Sequence, residues 1–299
     1  MKKYSNLLTT MAIVAAGCLT GCNDNEFLKE KPETSFSYAG AFSVSSQVND
    51  CLTNVYYEHK QRLLNAGFAT YGLGTDILDH RNEMGMASQL TIMSNWNTNS
   101  RLTQWNQWYG LIAMTNLVLL GVEQVEWANA ADKQTVIAEA RFLRGYFYLN
   151  LGELWGGVPI IDVFSESPRT DCVRATRKDT YLFALADLEA AAAVLPDHQK
   201  PGRVGKGAAW HFIAEAYLAL AVDQNDAAYI DKSIAAASEV MKYHSLMKTR
   251  FGTRANPSSS GSYQGIPDYF PDGDVYFDLF QRGNLDYEEG NTESLWVDQ

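Results

Sequence analysis

The chain contains 299 residues, and 46% of them are hydrophobic, which is enough apolar material for one substantial core or two small ones. Its formal net charge is −11, so it lacks the broad positive surface with which proteins bind nucleic acids or anionic membranes. We therefore expect a folded protein that has no nucleic-acid partner.

The N-terminus has the organisation of a lipoprotein signal peptide. Two lysines precede an apolar run at residues 7–19, which is too short to cross a bilayer comfortably, and the sequence LTGC follows directly. Because small residues ahead of the cysteine suit a signal peptidase, residues 1–21 are predicted to be removed and Cys22 to be acylated. Cys18 fits this role less well, since it still lies inside the apolar run. The alternative is an ordinary secretory signal without a lipid anchor.

The residues after the predicted acylation site indicate a tether. Residues 22–43 are polar, contain Pro32 and show no sustained periodicity. The sequence NDNE directly after the acylated cysteine resembles the surface-export signal of some Gram-negative lipoproteins. Two cysteines remain further along, Cys51 and Cys172. They are predicted either to pair in an oxidising compartment or to be separate small buried residues.

Helical periodicity dominates the middle of the chain. Apolar residues recur every three or four positions, which predicts helices at about 45–64, 99–125, 132–154, 180–195, 206–221 and 227–244. Asp132 is the predicted N-cap of the third helix. Short connections favour antiparallel hairpins, and the last two helices resemble a tetratricopeptide unit that buries its apolar face by stacking on neighbours. The predicted fold class is therefore mainly α, with tetratricopeptide-like helical hairpins.

Two other segments are predicted to be irregular. Residues 67–89 combine glycines with a cluster of polar side chains, which is typical of a loop. Residues 252–290 are rich in Gly, Ser, Pro, Asp and Tyr, whereas 294–297 are predicted to form a strand. The predicted domains are therefore a signal peptide at 1–21, a tether at 22–43, a helical domain at 44–250 and, at 251–299, the loop-rich start of a second, ligand-binding part.

The third predicted helix has two apolar faces with a narrow polar stripe between them. The stripe holds Arg141, Arg144 and Tyr148. A helix packed on both sides places these arginines near apolar surroundings, where a guanidinium group is tolerated because it bonds to carboxylates or carbonyls in a fork. Gly145 and Gly152 on one apolar face are predicted to let a second helix approach closely. A structural role for the arginines is favoured over ligand binding.

Three motifs resemble those of the SusD/RagB family. The first runs from EARFLRGYFY at 139–148 to LWGGVPI at 154–160, the second is GRVGKGAA at 202–209, and the third is NTESLWV at 291–297. Together with the lipid-attachment sequence, these motifs extend the resemblance from Cys22 to the last residue. Its signature positions in this chain are Arg141, Arg144, Gly156, Gly157 and Pro159.

The resemblance implies a lipid-anchored protein of the cell outer membrane that faces the exterior. Members of the family lie as a lid over a SusC-like, TonB-dependent β-barrel transporter and help to capture oligosaccharides or, in some members, peptides. The implied fold is a tetratricopeptide-like scaffold with an irregular second part that carries much of the ligand site. Because family members are usually much longer, this chain is expected to be a fragment or a truncated gene product. Two alternatives stay open: a protein that only docks onto the transporter, and a peptide binder.

The resemblance also predicts where an oligosaccharide binds. In sugar-binding members a Trp and nearby polar residues come from loops ahead of the second predicted helix. The matching positions here are Trp96, Asn97 and Asn99, with Asp76, Asp79 and Arg81 from the preceding loop. An exposed indole stacks on the apolar face of a pyranose, while amides and carboxylates bond its hydroxyls. The alternatives are a loop anchor for Trp96 and turn chemistry for the two aspartates.

Motifs for catalysis and metal binding are missing from the sequence. The five histidines do not follow metal-binding spacings, and there is neither a glycine-rich phosphate loop nor a GxSxG motif. Asp272 and Asp274 resemble part of a calcium loop, but its closing Glu is missing, so capping contacts are expected there. We expect a binding protein that needs no cofactor or metal. A lipid-anchored hydrolase with an unrecognised site is the remaining alternative.

Overall fold

The computed structural model describes residues 41–63, 98–198, 200–263, 265–267 and 269–297, with only the backbone described at 98–103, 263 and 266. Within these ranges the chain from Phe42 onward belongs to one unit. The predicted signal peptide with Cys22, most of the predicted tether and the predicted loop at 67–89 lie outside the described residues.

Long helices follow one another along the described chain: α1 is Ser45–Arg62, α2 Thr98–Gln124, α3 Ala130–Trp155, α4 Arg177–Ala192, α5 Lys206–Gln224 and α6 Ala228–Val240. Each helix packs mainly against the helices before and after it, and α3 also touches α1 and α5. This arrangement is a stack of helical hairpins, so the predicted fold class is confirmed. None of these described helices is long and apolar enough to cross a membrane.

Beyond α6 the chain is mostly irregular, as the composition of this segment predicts. It contains a 3-10 helix at Thr253–Ala255, the antiparallel pair β1 (Ser262–Tyr263) and β2 (Ile266–Pro267), the short helix α7 (Val275–Leu279) and a 3-10 helix at Tyr287–Glu289. The predicted strand at 294–297 is wrong. The N–H of Ser294 donates to the carbonyl of Asn291 in a turn, and residues 294–297 do not pair with another strand in the described structure.

Side-chain caps start α3 and α4 earlier than periodicity alone predicts. Asn129 caps α3 by accepting a hydrogen bond of 2.9 Å from an N–H of the first turn, so the prediction of Asp132 as N-cap is wrong. Asp132 lies instead inside the first turn, where the positive end of the helix dipole favours a carboxylate. Thr176 caps α4 by accepting from the N–H of Asp179 at 3.0 Å. The helix therefore begins three residues before the predicted start.

The core is centred on α3, which is buried on two faces as its sequence predicts. Its fully buried large side chains are Phe142, Leu143, Phe147, Tyr148, Leu149 and Leu151. Each such side chain stabilises the fold by roughly 1.5–3 kcal/mol relative to an exposed one. The other helices assemble around this element.

Two glycines let α4 approach α3 closely. A Cβ added at Gly145 would lie 2.8 Å from the carbonyl oxygen of Ala184. A Cβ added at Gly152 would lie 2.6 Å from the ring of Tyr181. The predicted close helix contact is therefore confirmed at both positions.

We expect Gly145→Ala to lower the free energy of unfolding by about 1–3 kcal/mol, because the added methyl meets a backbone carbonyl that cannot rotate away. This loss outweighs the gain of up to about 1 kcal/mol that Ala brings to a helix interior. The matched control is Gly110→Ala in α2, where the nearest atom is an Arg62 guanidinium nitrogen at 3.6 Å. Urea unfolding measures all three proteins; a Gly145→Ala variant as stable as the control would contradict the close contact.

The two cysteines of the described chain do not pair. Both thiols are free, with Cys51 half-buried and Cys172 exposed. The disulfide alternative is therefore wrong, and the alternative of two buried residues fits Cys51 better than Cys172. Burial raises the pKa of the Cys51 thiol, which keeps it protonated and unreactive.

Candidate functional site

The predicted ligand-binding residues lie almost entirely outside the described residues: Asp76, Asp79, Arg81, Trp96 and Asn97. Asn99 lies at the start of α2, where only the backbone is described. The positions of all six side chains in a binding site therefore stay predictions. The described residues define the scaffold next to this segment, a pocket and a C-terminal segment that sequence reasoning did not connect to them.

The scaffold depends on a buried hydrogen-bond network around Arg144 of α3. Its guanidinium group donates to both carboxylate oxygens of Asp187, at 2.6 and 3.0 Å, and to Asn116 Oδ1 at 2.8 Å. It also donates to the Asp162 carbonyl at 2.8 Å. The side chains of Arg144 and Asp187 are only 8% and 7% exposed. This arginine is therefore held by a fork of bonds inside the helix stack and is not available to a ligand.

The same network fixes the loop that follows α3. Asn116 donates to the carbonyl of Ile161 at 2.9 Å, and the Tyr148 hydroxyl accepts from the Ile161 N–H at 2.6 Å. Tyr109 donates to the carbonyl of Pro159 at 2.6 Å. Side chains of α2 and α3 thus supply the partners that the extended loop backbone lacks. Their removal would release the loop.

The sequence GGVP turns the chain at the end of α3. Gly156 has a φ of 77°, which a side chain would strain, and it caps the helix. A Cβ at Gly157 would lie 2.1 Å from the carbonyl oxygen of Ala175, so no other residue fits. Pro159 then bridges to Arg174, whose guanidinium donates to the Gly157 carbonyl. These signature positions shape the loop between α3 and α4.

Arg141 differs from Arg144, although both lie on the same predicted stripe. Its side chain is 44% exposed, and its Nε lies 3.8 Å from Asp187. The expectation of apolar surroundings is therefore wrong for Arg141. The reason is geometric, because the two residues are three positions apart on α3 and only Arg144 points between α2 and α4. Arg141 contributes a peripheral ion pair, which is worth little when exposed.

A pocket of about 190 Å³ lies between α3 and α5. Its lining residues are Tyr146, Leu149, Asn150, Glu153, Phe212 and Glu215. Glu153 of α3 and Glu215 of α5 face the same pocket from opposite sides. Partial burial, together with the neighbouring Glu215, raises the pKa of Glu153 to about 7. The outer side of Glu153 is exposed, so solvent screens the pair.

The pocket contains two acidic side chains, Glu153 and Glu215. A glycosidase needs two carboxyl groups held roughly 5–9.5 Å apart across the scissile bond, so the presence of two acidic residues does not by itself indicate catalysis. Within the described ranges, no group of three or more His, Cys, Asp or Glu side chains is placed to hold a metal ion.

We expect Glu153→Gln to flatten the pH dependence of stability. The pKa of Glu153 is about 4.5 in the unfolded chain and about 7 in the folded chain. The protonated carboxyl group therefore stabilises the fold at pH values below 4.5, and this stabilisation is lost as the pH rises to about 7. The wild-type chain should therefore become less stable over this interval, and the variant should not. Thermal unfolding between pH 4.5 and 8 measures the effect, with Glu126→Gln at an exposed position as control. The same pH dependence of the unfolding midpoint in the wild-type chain and in Glu153→Gln would contradict the raised pKa of Glu153.

The C-terminal segment rests on a second buried ion pair. Asp278 of α7 is completely buried and accepts from Arg250 Nε at 3.0 Å and Nη2 at 2.9 Å. Asn284 donates to the carbonyl of Asp278 at 2.9 Å. Asp274 caps α7 by accepting from the Phe277 N–H at 2.7 Å, which confirms the expected capping role. The segment is therefore ordered although it contains few regular elements.

On this base α7 and the residue that follows it expose two aromatic rings. The side chains of Tyr276 and Phe280 are 70% and 64% exposed, and their ring centroids are 5.1 Å apart. Tyr276 lies on α7, and Phe280 is the C-cap of this helix. Exposed aromatic rings on a fixed support are suited to contact with the apolar face of a sugar. Sequence reasoning noted the aromatic composition here but not which rings stay exposed.

Residues 284–297, named here the C-terminal strap, tie the irregular segment to the first helices. Trp296 stacks on His59 of α1 with a centroid distance of 5.3 Å and contacts the rings of Phe142 and Tyr146 edge-on at 5.5 Å. It also packs edge-on against Tyr56 at 6.3 Å. The motif that contains this tryptophan was predicted as a strand, but its main contribution is this aromatic contact.

A stack of helical hairpins that fixes loops and exposes aromatic rings is the architecture of a binding scaffold. The chain belongs to the SusD-like family described as starch-binding and associating with the outer membrane, whose model matches residues 26–218. The predicted family is therefore confirmed.

Individual relatives agree with this assignment. A SusD-like protein of Bacteroides ovatus is 24% identical over 236 residues, which are 73% of this chain and 40% of the relative. The crystal structure of a SusD homologue from Bacteroides thetaiotaomicron matches with a TM-score of 0.61 at 22% identity. The match covers 74% of this chain and 44% of the chain of the homologue. The structure of a laminarin-binding SusD-like protein matches with a TM-score of 0.54 at 18% identity. The match covers 75% of this chain and 46% of the chain of that protein. The chain thus spans about two fifths of the curated relative's length.

Proposed function

We propose that this protein is a surface lipoprotein that binds an oligosaccharide or polysaccharide and delivers it to a SusC-like, TonB-dependent transporter of the outer membrane. The observation that carries the proposal is the family match, which extends over the tether and most of the helical stack. The fold supports it, because the hairpins provide a rigid support for loops while the described part holds no grouped metal ligands. On this account the protein binds its ligand without catalysing its cleavage.

The ligand is proposed to be a glycan because of what similar proteins bind. The family is described as starch-binding, and one neighbour of the same fold binds laminarin. Starch and laminarin differ in their linkages, so the ligand is set by loop residues and not by the shared scaffold. For this chain the proposed loop residues are Trp96 with Asn97 and Asn99, and Asp76, Asp79 and Arg81. A stacked indole with surrounding amides and carboxylates is the chemistry that recognises a pyranose.

The proposed anchor is the acylated Cys22. Covalent acyl chains hold a protein at a membrane because each buried methylene contributes about 0.8 kcal/mol. Metabolic labelling with a fatty-acid analogue should label the wild-type chain and the Cys18→Ala control. The Cys22→Ala variant should lose the label. Labelling that persists in Cys22→Ala, or that is lost in Cys18→Ala, would contradict this anchor.

Affinity electrophoresis tests glycan binding directly. The soluble form from Asn23 onward would be run through native gels that contain starch, laminarin or other polysaccharides, alongside a Trp96→Ala variant. We expect one polysaccharide to retard the wild-type protein and Trp96→Ala to migrate as in a gel without glycan, since a stacked tryptophan contributes much of the contact area.

Tyr276→Ala is the matched control, because it removes an exposed aromatic ring from a different segment of the chain. Retardation that is lost in Trp96→Ala and kept in Tyr276→Ala supports binding at the loop ahead of α2. Loss only in Tyr276→Ala would move the site to α7. Absence of retardation by every polysaccharide, for a protein with a cooperative unfolding transition, would contradict glycan capture by this chain.

A role limited to transporter docking is the second candidate, and the formal net charge of −11 offers the charge complementarity that such a contact could use. In that case the acidic helical stack contacts the transporter and no nutrient. Copurification with a SusC-like transporter, combined with the electrophoresis above, separates the two candidates. Copurification without any glycan retardation supports docking alone, whereas retardation supports the main proposal.

A further inference from the structure

The C-terminal strap is held at two separate places. At one end Trp296 packs into the aromatic cluster of α1 and α3. Four residues before Trp296, Thr292 exchanges hydrogen bonds with the chain after α6: its carbonyl accepts from the Ser245 N–H at 3.1 Å, and its hydroxyl donates to the Ser245 carbonyl at 2.7 Å. Glu293 accepts from the Met247 N–H at 2.5 Å.

His244 lies at the second of these places, between α5 and the strap. Its side chain is 8% exposed, and it fills the space over Gly207, where an added Cβ would lie 2.1 Å from Nε2. The ring of Tyr287 from the strap packs edge-on against it at a centroid distance of 5.9 Å. His198 stacks on the face of Tyr287 at a centroid distance of 3.9 Å and lies 6.3 Å from His244. The strap is therefore fastened here by a cluster of two histidines and a tyrosine.

The imidazole of His244 is buried without a hydrogen-bond partner. Neither ring nitrogen makes a hydrogen bond within the part of the chain that the structure describes. The Thr292 carbonyl accepts from the Ser245 N–H, and its second lone pair is available to a proton on His244. Burial lowers the pKa of His244, the Thr292 carbonyl acts in the opposite direction, and a charged His198 lowers it further. The site therefore favours the neutral ring.

The charged groups on the surrounding elements do not compensate a proton on His244. Lys206 of α5 pairs with Asp197, whose carboxylate it contacts at 2.7 Å. On the strap, Asp286 and Glu289 form a reciprocal cap in which Glu289 accepts from the N–H groups of residues 285 and 286. Both carboxylates bond to backbone N–H groups of the 3-10 turn at 286–289. A protonated imidazole would thus lie buried 6.3 Å from His198, and the Thr292 carbonyl offsets only part of the cost of burying its charge.

We propose that His244 is an acid-sensitive latch: when the imidazole gains a proton it leaves its site over Gly207, and the strap detaches between residues 284 and 292 while Trp296 keeps its far end in place. The latch needs no ligand and does not depend on glycan binding. It links the order of the irregular C-terminal segment to the acidity outside the cell.

The direction of the effect follows from the burial of the neutral ring. The pKa of His244 is lower in the closed state than in the open state, where it is about 6.5. The closed state is therefore most stable at pH values above about 6.5, where the ring is neutral in both states. That stabilisation is lost as the pH falls below this value. The population of the open strap should then rise by up to about tenfold per pH unit, because one proton is taken up on opening.

Hydrogen exchange followed by mass spectrometry tests the latch on the full chain in detergent solution. Exchange of strap peptides would be compared between pH 7.5 and pH 5, after correction for intrinsic exchange and with peptides of α4 as an internal reference. We expect the open fraction of the strap to increase at least tenfold at pH 5 while α4 stays protected. In His244→Phe, which keeps a ring but cannot titrate, this increase should disappear.

Two further variants keep the test decisive. Thr292→Val removes the hydroxyl bond and should speed strap exchange equally at both pH values, leaving the pH dependence unchanged. His198→Gln removes the exposed histidine of the cluster and should keep most of the dependence. If His244→Phe does not fold, NMR titration of the wild-type imidazole replaces it: the His244 and strap signals should change with one midpoint below pH 6.5.

The proposal is overturned by any of three results. These are a strap whose exchange does not depend on pH, a pH dependence that survives in His244→Phe, and parallel exchange of the strap and α4, which would mean global unfolding. In the NMR experiment, separate midpoints for His244 and the strap would overturn it as well.

Discussion

Replacing Arg144 with methionine should lower the free energy of unfolding by about 3–5 kcal/mol, because it leaves the Asp187 carboxylate buried without its cation. The four bonds of the guanidinium group are lost together, so Asn116 and the Asp162 carbonyl lose a partner as well. Urea unfolding measures the loss. A loss of this size is a large fraction of the 5–15 kcal/mol that typically stabilises a domain.

Arg141→Met is the matched control for this variant. It makes the same substitution three residues earlier on α3, at a side chain that is 44% exposed, and should cost less than about 1 kcal/mol. The double variant Arg144→Met/Asp187→Leu should recover part of the loss, since a buried ion pair can be replaced by apolar side chains at little cost. Equal losses in the two single arginine variants would contradict the role assigned to Arg144.

Trp296→Ala should be the second severe change, with a loss of about 3–5 kcal/mol, which is typical of removing a large aromatic side chain from a packed site. Its indole contacts four aromatic rings of α1 and α3, so the loss should be cooperative with the whole helical stack. Thermal unfolding followed by circular dichroism should show one transition at a lower midpoint.

Trp296→Phe controls for the size of the ring. It keeps an aromatic contact and removes an indole N–H that has no partner within the described residues, so it should cost less than about 1.5 kcal/mol. A Trp296→Ala protein with an unchanged midpoint would show that the strap does not contribute to the stability of the helices. That result would contradict the contacts described for this residue.

The helices were predictable because their evidence is local. The periodicity of α3, with two buried faces and glycines at 145 and 152, carries the information for its packing within the sequence itself. Helix starts were predicted less well, because a cap such as Asn129 or Thr176 competes with other polar residues nearby, and only the geometry decides which one bonds.

The roles of Arg141 and Arg144 were not separable by sequence, because both lie on one polar stripe and their difference depends on the partner Asp187, which is more than forty positions away. The same holds for the strap: the apolar run at 295–297 favours a strand, but pairing needs a neighbouring strand that the described chain does not provide there. The pocket lined by Glu153 and Glu215 also joins two helices that are far apart in sequence. A contact of that kind leaves no local pattern.

The central claim, that this chain captures a glycan, is tested most directly by calorimetric titration of the folded protein with defined oligosaccharides from starch and laminarin. The account predicts saturable binding of one series, with heat that disappears in Trp96→Ala and remains in Tyr276→Ala. A folded chain that binds no member of either series, measured beside the laminarin-binding SusD-like protein as a positive control, would contradict glycan capture and favour transporter docking as the function of this chain.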